Sequence, residues 1–142
     1  MLEALSISLN KAAVFGFVTY ILGAAVLFAL FQFIYTRITP HKEFELIRAG
    51  NVSAAVALGG AIIGFAIPAS NVIAYSISLL DFVVWAVIAA VVQLLAFLLT
   101  SLVLKGTSER IKNGELAAGI YVAAVSISVG MLNAACMTPT QN

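Results

Sequence analysis

Four long runs of apolar residues, separated by short polar segments, dominate the pattern along the chain. They cover Ala12 to Tyr35, Val52 to beyond Pro68, Phe82 to Leu104, and Leu116 to Met137, and none contains Lys, Arg, Asp or Glu in its interior. A helix that crosses the hydrocarbon core of a membrane needs about 20 apolar residues, and one charge at its centre costs at least about 2.5 kcal/mol. The pattern therefore predicts four transmembrane helices, since membrane strands are about half as long and alternate apolar with polar residues.

Two polar connections hold most of the charge. They extend from Arg37 to Gly50 and from Lys105 to Gly114, and they contain six of the seven basic residues. Four spans place both connections on one side of the membrane, so the positive-inside rule predicts that this side is cytoplasmic and that both termini are periplasmic. Only Lys11 argues for the opposite orientation.

The first connection carries the residues of a helix start. Thr39 has the residue type of an N-cap, and proline is favoured at the first helical position, where Pro40 stands. We predict a short cytoplasmic helix over Pro40 to Ala49, ended by Gly50.

The two halves of the chain resemble each other. Adding 64 to a residue number pairs Glu45 with Glu109 and Gly50 with Gly114. We predict a single transmembrane domain, 1–142, with an internal repeat of about 12–76 and 77–138. Because both repeats enter the membrane from the same side, they are parallel repeats. The predicted fold class is thus an all-α membrane protein of two helical hairpins, with the short cytoplasmic helix between spans 1 and 2.

Composition excludes a water-soluble domain. The chain is 63% hydrophobic and 9% charged, whereas soluble domains average about 45–50% apolar and about 25% charged residues. The net charge of +1 gives no sign of a nucleic-acid partner, and the lipid bilayer is the predicted partner. One cysteine allows no intramolecular disulfide and no zinc cluster, and we predict no metal or other cofactor.

Small residues line the second helix of each hairpin. Gly60 and Gly64 have GxxxG spacing, and Gly119 and Gly130 lie in the corresponding helix of the second half. We expect these glycines to form close helix contacts within the chain or between subunits. The alternative is a conduit lined by the small residues.

Polar residues within or near the apolar runs are the other candidates. Gln32 and Gln93 lie deepest, and interhelical hydrogen bonding is the expected role, with lining of a path as the alternative. Pro68 is expected to bend or end its helix and to free carbonyl groups for a polar site at the outer end, which would include Asn71 and Asn133.

Asp81 and Glu3 are the only acids predicted on the outer side. We expect Asp81 to be the N-cap of the third span, with an acidic mouth for cations as the alternative.

The remaining reactive side chains predict no catalysis. Cys136 and the single histidine, His41, lie on opposite sides of the membrane in this topology, so they do not form a nucleophile and base. We expect Cys136 to pack as a small apolar residue. His41 is expected to belong to the surface helix, with pH sensing as the alternative.

Several segments together carry a resemblance to a known family. The sequence resembles the YjfL-type family of small bacterial inner-membrane proteins in Ile38 to Ile47, Gly50-Asn with Ser53-Ala-Ala, Gly64 with Ile67-Pro68, Asp81-Phe with Trp85, Gln93-Leu, Ala117 to Gly119, and Asn133 to Thr138. The resemblance implies a domain of unknown function made of two tandem two-helix units. It also implies an association with membrane-stress proteins, because family members are often encoded near relatives of the phage-shock proteins. It supplies no catalytic residues.

These observations predict a non-enzymatic integral inner-membrane protein. The favoured function is a homo-oligomeric assembly used in envelope or membrane-stress maintenance. The alternative is a small ion channel or transporter with a path lined by small and amide residues.

Overall fold

The computed structural model describes residues 10–137, which form six α-helices. The long helices are α1 (Lys11–Ile38), α3 (Val52–Tyr75), α4 (Leu79–Val103) and α6 (Leu116–Cys136), and the short ones are α2 (Glu43–Arg48) and α5 (Thr107–Lys112). All four long helices are long and apolar enough to cross a membrane. The predicted all-α fold with four transmembrane helices is therefore confirmed.

Helices α3 and α6 form the centre of the bundle, and α4 packs against both. Helix α1 lies outside them. It buries only Phe31 and Tyr35, which pack on the other helices: Phe31 stacks on Phe65 of α3 with 4.2 Å between ring centroids, and Tyr35 meets the ring of Phe97 of α4 edge-on. Most of the α1 surface is thus left for lipid or for another protein.

The short helix of the first connection is shorter than predicted. Thr39 does not cap it but ends α1 in an extended conformation, and α2 begins only at Glu43, after Lys42. Pro40 disfavours helical geometry in the residue before it and so stops α1 at Ile38. The Thr39 hydroxyl donates back to the carbonyl oxygen of Tyr35 in α1 and therefore does not cap α2. The prediction of a helix over Pro40 to Ala49 capped by Thr39 is wrong in its first three residues.

The second connection contains a helix that was not predicted. Helix α5 follows Gly106, whose positive φ of 71° suits glycine. Adding 64 to the bounds of α2 gives those of α5. The single domain and the repeat of 12–76 and 77–138 stay predictions, and the last repeat residue, 138, lies outside the described residues.

The two connections meet at one end of the bundle. The side chain of Asn51, at the start of α3, accepts the amide N–H of Ala54 and donates to the carbonyl oxygen of Ile111 at 2.8 Å. The Ser53 hydroxyl donates to the carbonyl oxygen of Glu115, also at 2.8 Å. These bonds join the starts of the two central helices and attach the start of α3 to the end of α5.

Candidate functional site

Helices α3 and α6 cross with small residues in direct contact. A Cβ added to Gly60 would overlap the backbone of Ala123, and one added to Gly119 would overlap Ser53. Association inside a membrane lacks a hydrophobic driving force, so close backbone approach supplies much of the attraction. At this crossing the small-residue faces of the two helices are in direct contact, as the close-packing prediction expects, and a conduit lined by small residues stays an untested alternative.

Gln93 enters the crossing from α4. Its side chain is buried, and Nε2 donates to the carbonyl oxygen of Ser126 at 3.0 Å. A Cβ on Gly64 would overlap this Nε2, so the glycine makes the space that the amide occupies. The Oε1 atom of Gln93 has no hydrogen-bond partner among residues 10–137. An unpaired acceptor thus lies in the middle of the bundle.

Two asparagines add interhelical contacts toward the end of the bundle that lies opposite the two charged connections. Nδ2 of Asn133 on α6 lies 3.4 Å from the carbonyl oxygen of Ala89 on α4, a long hydrogen bond. Nδ2 of Asn71 on α3 donates to the carbonyl oxygen of Ala134 at 2.7 Å. The amides of Gln93, Asn71 and Asn133 thus connect the three inner helices.

Pro68 does not end its helix. It is buried within α3, which continues beyond it to Tyr75. The alternative that proline stops this helix is therefore wrong, and a bend at Pro68 stays a prediction.

Gln32 does not join the other amides. It is half-buried on α1 and lines a wide surface groove of about 380 Å³ together with Ala25, Phe28 and Ala29. This places an amide on the outer helix, away from the α3–α6 crossing.

Asp81 lies in the first turn of α4 and is not its N-cap. Ser78 is the cap, and its hydroxyl accepts the amide N–H of Asp81 at 3.1 Å. The Asp81 carboxylate accepts the amide N–H of Ile77 at 3.1 Å, so it still stabilises the helix start. An open cavity of about 300 Å³ beside it is also lined by Trp85 and by Cys136, which is exposed. The acidic mouth stays a prediction, and Glu3 lies outside the described residues.

The end of the bundle where the two charged connections meet holds a buried polar cluster. His41 and Glu43 are only 3% and 1% exposed, although they lie in a charged connection. Nδ1 of His41 is 2.8 Å from the hydroxyl oxygen of Ser108 on α5, and Nε2 is 3.6 Å from Oε1 of Glu43. Nε2 and both carboxylate oxygens make no hydrogen bond of standard geometry within the described part of the chain. Such a cluster can hold or move a proton.

The surroundings of the cluster disfavour charge on either side chain. Burial raises the pKa of the Glu43 carboxyl above its usual range. Burial, and secondarily the positive charge of Lys112, lowers the pKa of the His41 imidazole. Both side chains are therefore driven toward their neutral forms.

The sequence did not reveal this cluster. Pro40 indicates only the end of α1 at Ile38, since it disfavours helix in the preceding residue. The burial of His41 and Glu43, however, depends on α5 and Tyr35, which local periodicity does not report.

Comparisons with known proteins give the family of this chain. The family described as Domain of Unknown Function (DUF350) matches residues 7–137. The chain belongs to the DUF350 family. It is 37% identical over 123 residues to the UPF0719 inner membrane protein YjfL of Escherichia coli (strain K12), covering 87% of this chain and 93% of the relative. The resemblance to the YjfL-type family is confirmed.

A second relative is less similar in sequence. The chain is 27% identical over 114 residues to the UPF0719 transmembrane protein YshE of Bacillus subtilis (strain 168), covering 79% of this chain and 85% of the relative. No solved structure matches the chain. With four apolar helices and an inner-membrane relative, the protein is a multi-pass protein of the inner membrane.

Proposed function

We propose that this DUF350 protein is a non-enzymatic, homo-oligomeric assembly that serves envelope or membrane-stress maintenance. The carrying observation is the groove on α1, where the half-buried Gln32 lies beside the exposed Ala25 and Ala29. This groove faces outward from the bundle, because α1 buries only Phe31 and Tyr35.

A second copy of the chain is the occupant that this groove fits. An amide facing lipid leaves donors and an acceptor without partners, and each such group is costly in hydrocarbon. Gln32 carries both a donor and an acceptor, so it can pair with Gln32 of an identical chain across a two-fold axis. Ala25 and Ala29 are small enough to let the two backbones approach.

The proposed orientation follows from the charges. By the positive-inside rule, the end of the bundle where the two connections meet is cytoplasmic. The basic residues there are Arg37, Lys42 and Arg48 in the first connection and Lys105, Arg110 and Lys112 in the second. Both termini are then periplasmic. Membrane-stress proteins are the proposed partners, on the basis of the family resemblance.

Cysteine cross-linking in native membranes tests the assembly. In a Cys136→Ser background, Ala29→Cys is expected to give a disulfide-linked dimer under mild oxidation. Leu30→Cys is the matched control, because Leu30 is also exposed but points to the other flank of α1. Adding Gln32→Leu to the Ala29→Cys variant should reduce the yield of the disulfide-linked dimer. Equal cross-linking at positions 29 and 30 would exclude the proposed interface.

The physiological part needs a separate assay. A strain that lacks the gene is expected to lose membrane potential under envelope stress. The wild-type gene should restore the potential and the Gln32→Leu variant should not. Full restoration by a variant that no longer cross-links would separate the function from the assembly.

A small channel or transporter is the second candidate function. The observation in its favour is the unpaired Oε1 of Gln93 in the centre of the bundle. Because the small-residue faces of α3 and α6 are in direct contact, we expect such a path to run along α4 or between copies. A selective ion flux in liposomes that Gln93→Leu or Asp81→Asn abolishes would favour this function over a passive assembly.

The absence of catalysis is also proposed and testable. Ser108 lies at hydrogen-bond distance from His41, which is how an imidazole activates a serine nucleophile. We expect no covalent labelling of Ser108 by a fluorophosphonate probe. Labelling that Ser108→Ala removes would overturn the non-enzymatic assignment.

A further inference from the structure

We propose that His41 and Glu43 form a proton-binding site at the end where the two charged connections meet. The bound proton resides on the Glu43 carboxyl and exchanges with water by way of the imidazole of His41. This site is independent of the proposed assembly, since it lies on the connections and not on the α1 groove.

The buried Glu43 carboxylate needs either a bound proton or a positively charged partner to neutralise it. Its side chain is 1% exposed, and neither carboxylate oxygen makes a hydrogen bond of standard geometry among the described residues. The Thr39 hydroxyl and the backbone amide of Glu43 act to lower the pKa of this carboxyl group, but burial is the larger influence and raises it. An ionised carboxylate in that state is very costly, and a buried group neutralises instead. The nearest basic group, Nε2 of His41, is 3.6 Å away, beyond hydrogen-bond distance.

The charged and titratable groups around the pair favour a neutral imidazole. Lys112 of α5 places positive charge near His41 and opposes its protonation. Tyr35 of α1 faces Glu43 and brings no positive charge. His41 is thus a poor counter-ion, and the proton is left to the carboxyl group.

A metal ion fits the site less well than a proton. No group of three His, Cys, Asp or Glu side chains surrounds a common point within residues 10–137. Structural metal sites use about four protein ligands, whereas this cluster offers one imidazole and one carboxylate. Lys112 would also repel a divalent cation.

A route connects the carboxyl group to water. A cavity of about 160 Å³ is lined by Pro40, His41, Ser101 and Ser108, so it reaches the imidazole from the Ser108 side. The hydroxyl of Ser108 and Nδ1 of His41 are 2.8 Å apart. The imidazole therefore lies between the cavity and the buried carboxyl group.

The imidazole passes the proton without holding charge at the end of the step. A hydronium ion in the cavity gives a proton to the Ser108 oxygen and becomes water, while the O–H bond of Ser108 breaks and its proton forms an N–H bond at Nδ1. The Nε2–H bond then breaks, and the Nε2 proton moves to a carboxylate oxygen of Glu43. The ring ends neutral in its other tautomer, and the carboxylate becomes a carboxylic acid. A movement of less than about 1 Å brings Nε2 and Oε1 to hydrogen-bond distance for this transfer.

Infrared spectroscopy of the full-length protein in nanodiscs tests where the proton lies. A protonated carboxyl band is expected at neutral pH, absent in Glu43→Gln and unchanged in Glu45→Gln, a matched control because Glu45 is exposed on the same helix. The chain has one histidine, so with a histidine-free tag every imidazole NMR signal belongs to His41. That signal should show a neutral ring at neutral pH.

A second variant separates the relay from the binding site. His41→Gln should keep the carboxyl band and slow its exchange into heavy water on the order of 10²-fold. An ionised Glu43 at neutral pH, or an imidazolium partner to it, would overturn the proposal. Zn²⁺ binding that needs both side chains would also overturn it, because the site would then be a metal site.

Discussion

Gly64 of α3 and Gly130 of α6 face each other so closely that a Cβ on Gly130 would overlap the carbonyl oxygen of Gly64. No rotamer change relieves such an overlap, because the obstacle is backbone. The two central helices can approach this closely only with glycine at position 130. The same contact also faces Gln93, whose amide occupies the space beside Gly64.

Gly130→Ala is therefore expected to destabilise the fold by about 1–3 kcal/mol, the usual range for an overpacked site. Gly59→Ala is the matched control, because Gly59 lies in α3 with open space around its Cβ position. Alanine there should be neutral or stabilise by up to about 1 kcal/mol. Unfolding by steric trapping in lipid bicelles measures both. Equal effects would show that the crossing is looser than described.

Gln93→Met tests the buried amide. Methionine keeps the volume but removes the hydrogen bond to the carbonyl oxygen of Ser126, so a loss of about 1 kcal/mol is expected. Thr100→Val is the control, since the Thr100 hydroxyl bonds only within α4, to Ala96. A Gln93→Met protein more stable than wild type would mean that the unpaired Oε1 costs more than the bond contributes.

The stability of the fold should depend on pH through His41 and Glu43 in opposite directions. Because the pKa of His41 is lowered, the unfolded chain binds more protons below the ordinary pKa of 6.5, so this contribution to stability falls as the pH falls through that value. Because the pKa of Glu43 is raised, the folded chain binds more protons above 4.5, so its contribution falls as the pH rises from there.

The single variants should separate these two slopes. Between about pH 5 and 7, the Tm of Glu43→Gln is expected to rise with pH, since of these two opposing contributions only that of His41 remains. The Tm of His41→Gln is expected to fall over the same range. Two variants that keep the wild-type profile would show that neither group has a shifted pKa in the folded protein.

Cys136 gives a direct test of topology. It is the single cysteine of the chain and is exposed, so a membrane-impermeant maleimide should label it in intact spheroplasts if the C-terminus is periplasmic. In a Cys136→Ser background, Lys105→Cys should label only after the membrane is permeabilised. The reverse pattern would invert the proposed orientation.

The number and type of the helices could be read from the sequence because both depend on local properties. Apolar run length and the absence of charge predicted all four spans to within a few residues of α1, α3, α4 and α6. The start of α2 differs from the prediction because the Thr39 hydroxyl bonds to the carbonyl oxygen of Tyr35 in α1 and Lys42 precedes the first helical residue. Helix α5 was missed because its six residues carry too little apolar periodicity to be recognised.

The candidate sites also include some features that the sequence predicts and others that depend on helix packing. The glycine spacing on α3 and α6 and the deep position of Gln93 are visible in the sequence, because only small or amide residues interrupt those apolar runs. Which amides pair was decided by the packing: Gln93 bonds to Ser126 on α6, whereas Gln32 stays on the outer helix. The hydrophobic periodicity of a helix does not indicate whether that helix lies at the centre of the bundle or on its outside.

By itself, the sequence determined that this chain spans a membrane four times and where its charges lie, because burying charge in hydrocarbon is prohibitive whatever the tertiary fold. Only the tertiary structure decided that His41 and Glu43 are buried. Their burial requires Ser108, from the other connection, and Tyr35, at the end of α1, to come together around them. Contacts between segments far apart in the chain thus turned a charged connection into a buried polar cluster.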